Sequence, residues 1–164
     1  MIARNDSLPV PPRIVSVVVP GVPVAQGRGR AVRMGAGVRV IDPERSRSWK
    51  GAAAVFMLQA RNAAGLHAPM DSPLSVTIDA YWPRPKSLPK RMGHERLPRP
   101  SRPDVDNIAK AVMDAGNGVL WADDGQVVEL TIRKWVAGSD GPLPGVYFDV
   151  EPVDRPATGK EATT

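Results

Sequence analysis

Apolar residues along this chain fall into two rhythms, one of period two and one of period three to four, and their alternation predicts the elements. Arg13–Val19 reads RIVSVVV, a β-branched run stopped by Pro20 and Gly21, and it is the first strand. The following stretch, VPVAQGRGRAVRMGAG, alternates glycine with arginine and reads as a loop, with Val38–Ile41 a second short strand closing a hairpin. Asp42-Pro43-Glu44 has the order of a helix start: Asp42 as N-cap, Pro43 at the first helical position and Glu44 facing the dipole. From there to about Asn62, the residues Trp49, Ala53, Phe56, Met57 and Ala60 recur at helical spacing and make one apolar face. Leu74–Trp82, LSVTIDAYW, returns to the period of two.

Pro83–Pro103 holds too many prolines for regular structure and reads as a long cationic loop or lid. A helix follows over Asn107–Ala115, with Ile108, Ala111, Val112 and Ala115 inward and Gly116 or Gly118 ending it. Val127–Trp135 and Val146–Val150 are the last strands, joined by a Gly/Pro-rich turn. The order strand, strand, helix, strand, helix, strand, strand predicts an α+β fold: a small mixed β-sheet with two main helices on one side.

Composition narrows the class. With 164 residues the chain is read as a single domain over 13–153, flanked by polar, disordered tails at 1–12 and 154–164. It has no cysteine, which excludes disulfide frameworks, thiolate zinc sites and cysteine nucleophiles. No apolar run is long enough to span a bilayer, and MIARNDSLPVPP has no hydrophobic signal core, so the expected protein is soluble and cytoplasmic. A net charge of +5 favours an anionic partner, yet that charge is unevenly spread. Residues 103–130 carry six acidic groups and one basic, whereas 82–102 carry seven basic and one acidic. An acidic island thus sits between cationic arms. That pattern suits carboxylates that hold Mg²⁺ while their surroundings attract a polyanion.

The candidate chemistry lies in that island. Asp104 and Asp106 are two apart, so in an extended segment they leave on the same face and can grip one cation, although Asp106 is equally well placed to cap the helix beginning at Asn107. Asp123 and Asp124, followed by Gly125, read on their own as a turn before a strand. What raises them above that is their position: the two acidic pairs bracket one helix. Lys110 lies one turn beyond Asp106, either as a surface ion pair or as an ammonium beside the metal. Asp114 reads as helix-surface charge. His67 and His94 are isolated and lack ligand spacing, and Trp82, Trp121 and Trp135 read as core or interface residues. Arg28, Arg30, Arg33 and Arg39 on one side, and Arg84, Lys86, Lys90 and Arg91 on another, are candidate phosphate contacts.

These motifs together carry a resemblance. DxDN followed by Lys110, then NGVL, an Asp pair and QVVEL, over Pro103–Lys134, resembles the RusA family of Holliday junction resolvases; GVPVAQGRGR at 21–30 and YWPRPKS at 81–87 are similar to that family's early Arg-rich loop and its Pro-rich turn. The likeness covers roughly residues 14–150. It departs at Gly29, where the family often has proline, and at Gly125, where serine or alanine is common. The resemblance implies a RusA-like homodimer, one active site per subunit, cutting branched DNA such as four-way junctions at paired positions with Mg²⁺, for which Mn²⁺ can substitute, and with neither a small-molecule cofactor nor a membrane. Carried over by motif, Asp104, Asp106 and Asp124 are catalytic, metal-binding carboxylates, Lys110 is the catalytic lysine, and Asp123 is a fourth acidic member of the metal site. Two other classes stay open on the residues alone. One is a non-catalytic DNA-binding accessory protein, which would not account for the carboxylates; the other is another Mg²⁺-dependent phosphoryl-transfer enzyme, for which no glycine-rich phosphate loop opens a helix.

Overall fold

The computed structural model describes residues 14–35, 37–89 and 96–153. The expected tails, together with Lys90 and Arg91 of the cationic loop, lie outside these residues. Strand β1 (Val15–Pro20) turns Val15, Val17 and Val19 inward, where all three are buried, and leaves Ser16 and Val18 on the opposite face. The same alternation in β4 (Leu74–Trp82) buries Leu74, Val76, Ile78 and Ala80, and in β7 (Gly145–Pro152) it buries Val146, Phe148 and Val150. Strand β7 runs antiparallel between β1 and β4, while β6 (Val127–Val136) lies parallel to the other edge of β4. The two-residue β5 (Leu97–Pro98) pairs only with the end of β6, giving a mixed five-stranded sheet in the order β1-β7-β4-β6-β5.

Helices α1 (Glu44–Ala63) and α2 (Val105–Gly116) cover one face of this sheet. Ala53 and Met57 of α1 and Ile108, Val112 and Ala115 of α2 join the inward strand residues in one core, and Leu120 and Trp121 close it at the far end of α2. The expected α+β architecture, mixed sheet and one-sided helices are all found. The opposite sheet face is polar and aromatic: Trp135 donates its indole N–H to Asp79 at 2.7 Å, and Tyr81 meets Tyr147 edge-on at 5.4 Å. No helix among the described residues is long and apolar enough to cross a membrane.

Several local expectations are corrected. The glycine–arginine stretch is not all loop: β2 (Arg30–Met34) pairs antiparallel with β3 (Gly37–Ile41), forming a separate two-stranded ribbon that turns at Gly35, where φ is +62°. The proline-rich segment likewise holds β5, because proline at the sheet edge costs no ladder bond that the edge needs. Asp42 does not cap α1. Pro43 stands at the cap position without a side-chain hydrogen bond, and the Asp42 carboxylate is taken instead by Gln26 and Lys50. Helix α2 begins two residues early, with Asp104 at its cap position and Asp106 inside its first turn, so Asp106 is not the cap and the extended-strand spacing does not apply to the pair. The turn between β6 and β7 joins strands that flank β4 rather than each other.

Candidate active site

The approach to α2 is fixed from below by β6, whose Lys134 donates to the carbonyls of Pro103 at 2.7 Å and Ser101 at 2.9 Å. The Arg102–Pro103 peptide bond is cis, and Asp104 then enters the helix in an extended conformation, with φ −73° and ψ 154°. Its carboxylate makes no capping hydrogen bond to the helix, so both oxygens remain directed to the exterior chemistry rather than to the fold. Asp106 follows in the first turn, accepting a hydrogen bond from the Asn107 side-chain amide at 3.2 Å. Both carboxylates are exposed at the positive end of the helix dipole, where negative charge is favoured. Lys110 lies one turn on, also exposed. A cleft of about 470 Å³ opens here, lined by Ala25, Gln26, Arg28, Arg102, Pro103, Asp104 and Asn107. It places a carboxylate beside two guanidinium groups. Mg²⁺ is commonly held by one or two carboxylates, with waters and substrate phosphate completing its shell, and the donor set of Asp104 and Asp106 fits that ion.

Behind the cleft is a polar network that the sequence analysis missed. Lys50 donates to Asp42 at 2.6 Å and to Asp114 at 3.2 Å, with its side chain only 18% exposed. Gln26 donates its amide to Asp42 at 2.9 Å, accepts from the Ser46 hydroxyl at 3.2 Å, and its backbone N–H donates to the Asn107 carbonyl at 2.8 Å. The loop bearing Arg28 is thereby tied to the first turn of α2. The hydrogen bond from Lys50, aided by that from Gln26, holds the Asp42 carboxyl below its usual 3.8, and the charge of Lys110 acts in the same direction. Burial disfavours the charge on Lys50, yet its bonds to Asp42 and Asp114 raise its pKa above the usual 10.5. Asp114, expected as surface charge, is therefore one arm of an ion-pair triad. A signal was present: Ser46, Lys50, Ala53 and Met57 fall on one stripe of α1, so its two polar members needed partners inside.

Asp123 and Asp124 stand elsewhere. They follow the far end of α2, a helix of 12 residues and so about 18 Å long. Asp123 caps the short 3₁₀ turn Asp124–Gln126: its carboxylate accepts from the Gly125 N–H at 2.8 Å while Gln126 reaches back to the Asp123 N–H at 2.8 Å. Gln126 also donates to the carbonyls of Met70 and Ser72. Asp124 is half-buried at the foot of β6. Within one chain the structure thus brings Asp104, Asp106 and Lys110 together and keeps the second acidic pair at the opposite end of α2. Among the described residues, no group of three or more Asp, Glu or His side chains surrounds a single metal position.

The basic residues divide in the same way. Arg28 is in the cleft, whereas Arg30, Arg33 and Arg39 are exposed on the β2–β3 ribbon. Arg84 donates to the carbonyls of Leu88 and Pro89 and so shapes its own turn, and Lys86 is exposed. Arg96 lies 4.5 Å over the Trp135 ring and Arg99 lies 4.8 Å over Trp82, so the proline-rich segment is anchored by cations on aromatic faces. Trp82 and Trp121 are buried in the core, and Trp135 is half-buried on the uncovered face.

The family model described as endodeoxyribonuclease RusA matches residues 20–146, a span that includes the cleft, both acidic pairs and the ribbon. A relative from Bacillus subtilis (strain 168), the uncharacterized protein YqaN, is 35% identical over 127 residues, covering 74% of this chain and 87% of its own length.

Proposed function

The chain belongs to the RusA family of endodeoxyribonucleases, and from that premise we propose that it is a Mg²⁺-dependent, structure-selective endonuclease that resolves four-way and related branched DNA by paired, symmetric cuts, as a homodimer, in recombination and repair. The observation that supports this most directly is the placement of Asp104 at a helix N-terminus, lining a cleft with Arg28 and Arg102, with Asp106 exposed in the same first turn. Asp104 and Asp106 would hold the ion, Mg²⁺ or Mn²⁺, which when bound activates water and stabilises the departing oxygen of a phosphodiester. Arg28 and Arg102 grip phosphates flanking the scissile one. Lys110, exposed one turn along α2, offers an ammonium to the charge that develops on the phosphate.

Dimerisation accounts for the distant Asp124. Because β5 pairs only with Trp135 and Val136, the rest of β6 is an open edge among the described residues, with Val128 and Leu130 exposed along it. Two such edges meeting antiparallel about a two-fold axis set the start of one β6 beside the end of the other. Asp124 of one protomer then stands near Asp104 and Asp106 of the partner subunit, two sites form per dimer, and both strands of a junction are cut. The test is incubation with a four-way junction, a linear duplex and a nucleoside triphosphate, each with and without Mg²⁺. Paired nicks in the junction alone, only with Mg²⁺, support the proposal; turnover of the triphosphate, or no incision in any DNA, overturns it.

A further inference from the structure

The β2–β3 ribbon stands apart from the five-stranded sheet, and every residue of β2 is exposed. An isolated two-stranded hairpin is marginal in water, yet this one shows Val38 at 72%, Val40 at 69% and Met34 at 56% exposure. Its register sorts the side chains: Arg30, Val32, Met34, Arg39 and Ile41 share one face, and Ala31, Arg33, Val38 and Val40 share the other. From Arg30 to Ile41 it contains arginine, glycine and apolar residues only, with no side chain that can accept a hydrogen bond. Such chemistry fits a partner that offers negative charge and bare apolar faces together. The base of the ribbon is fixed. Arg28, two residues before it, lines the cleft with Asp104, and Asp42, directly after it, is bound by Lys50 and Gln26.

Resting on the nuclease reading above, we propose that this ribbon is a wedge for branched DNA: its arginines hold phosphates while Val38 and Val40 pack against bases left unstacked at the branch point. Charge complementarity and continuity with the cleft choose DNA as the occupant. Five residues of strand reach about 17 Å, or about five base-pair steps, so the ribbon extends that far from its base beside the cleft. An intact duplex offers phosphates to the arginines but hides its base faces, whereas apolar side chains inserted at an opened step are a known means of kinking DNA. The ribbon therefore contributes preference for the branch rather than general affinity.

The experiment uses the full chain carrying Asp104→Asn to prevent cutting, with a synthetic four-way junction bearing 2-aminopurine at the branch point and a duplex of equal length. Adding Val38→Ser and Val40→Ser, both at exposed positions outside the core, should abolish most of the fluorescence rise seen on binding and reduce the preference for junction over duplex about tenfold, the scale of returning one or two valines to water. Duplex affinity should stay within about twofold, since the arginines remain. An unchanged rise and unchanged preference overturn the wedge. So does a double variant whose mass in light scattering without DNA falls to that of a monomer, because the ribbon would then be a contact between copies, or one that instead loses binding to anionic phospholipid vesicles. If the wild-type chain, assayed alongside, neither binds nor cuts junctions, it is the nuclease reading that fails; if it does both and the serines change nothing in the Asp104→Asn chain, only the wedge fails.

Discussion

Asp104 and Asp106 share a turn of chain but carry different structural duties, and substitution separates them. Asp104 makes no capping bond and Asp106 adds negative charge to the first turn of α2, so asparagine at either position leaves the core untouched. Asp104→Asn and Asp106→Asn should each abolish junction cutting in Mg²⁺ with junction binding largely kept, measured by gel shift beside cleavage; wild-type turnover by either would remove it from the site. Lys110→Ala should slow the single-turnover rate about a hundredfold at saturating DNA, the scale of losing one electrostatic stabiliser, with little change in binding. Lys50 is a different case, because its work is done inside the protein. Lys50→Met leaves Asp42 and Asp114 facing each other without a cation, at a cost of about 1–3 kcal/mol, between the values for exposed and buried pairs. The cost depends on pH with a definite sign. Asp42 has a lowered pKa in the fold, so its share of the stability is full above its ordinary 3.8 and is lost as the pH falls through the lower, folded value. The raised pKa of Lys50 sets the other limit: its share is full below the ordinary 10.5 and disappears only at higher pH. Melting curves of wild type and Lys50→Met should therefore differ most near neutrality and converge in strong acid.

At the scale of elements, the two acidic pairs behave as their surroundings dictate. Asp123→Ala removes the carboxylate half of the capping box, leaving the backbone N–H to Gln126, and should cost about 1 kcal/mol, read as a lower melting temperature, with cutting retained at permissive temperature. Asp124→Asn should do the reverse, keeping stability and losing cutting. Gly116→Ala probes the far end of α2, where a Cβ would fall within the ring of Trp121; overpacking there should destabilise by about 1–3 kcal/mol. Strands β1, β4, β6 and β7 and both helices were legible in the sequence because their apolar periodicity is what buries them, whereas β5 lay hidden in the proline-rich segment. Strand β2 was not legible either, since its apolar residues face solvent and its pairing depends on a neighbouring hairpin strand. The start of α2 was misplaced because two aspartates compete for one cap, and the position goes to the one that follows Pro103. Asp42 carried a correct cap signature, but a partly buried lysine offers a carboxylate more than a helix terminus does. The candidate site was half legible: its residue types follow from motif, while the separation of its acidic pairs to opposite ends of α2, a helix about 18 Å long, is a property of the fold.

For the whole molecule, the proposed dimer rests on the edge of β6 left open among the described residues. Leu130, 46% exposed on that edge and sharing the face of Val76, is a suitable place to interfere, because it is open enough to take a charge that the partner's strand would have to cover in the proposed dimer. Leu130→Asp should give monomers by light scattering and lose paired incision while keeping the wild-type far-UV spectrum; a cutting-competent monomer would show that each chain assembles its site alone. The placement of β7 has a consequence of another kind. Val15 pairs with Val150 and Ser16 with Asp149, so among the described residues the first strand finds its sheet partner in the last. Contacts separated by so much sequence close late and slowly, and β1 has α1 over its valines but no sheet neighbour until β7 appears. A ribosome stalled before Gly145 would hold a nascent chain whose β1 has no neighbour and whose β4 lacks one edge, a species that chaperones would retain and proteases would find. The five-stranded sheet is thus completed in one late step, when β7 is translated.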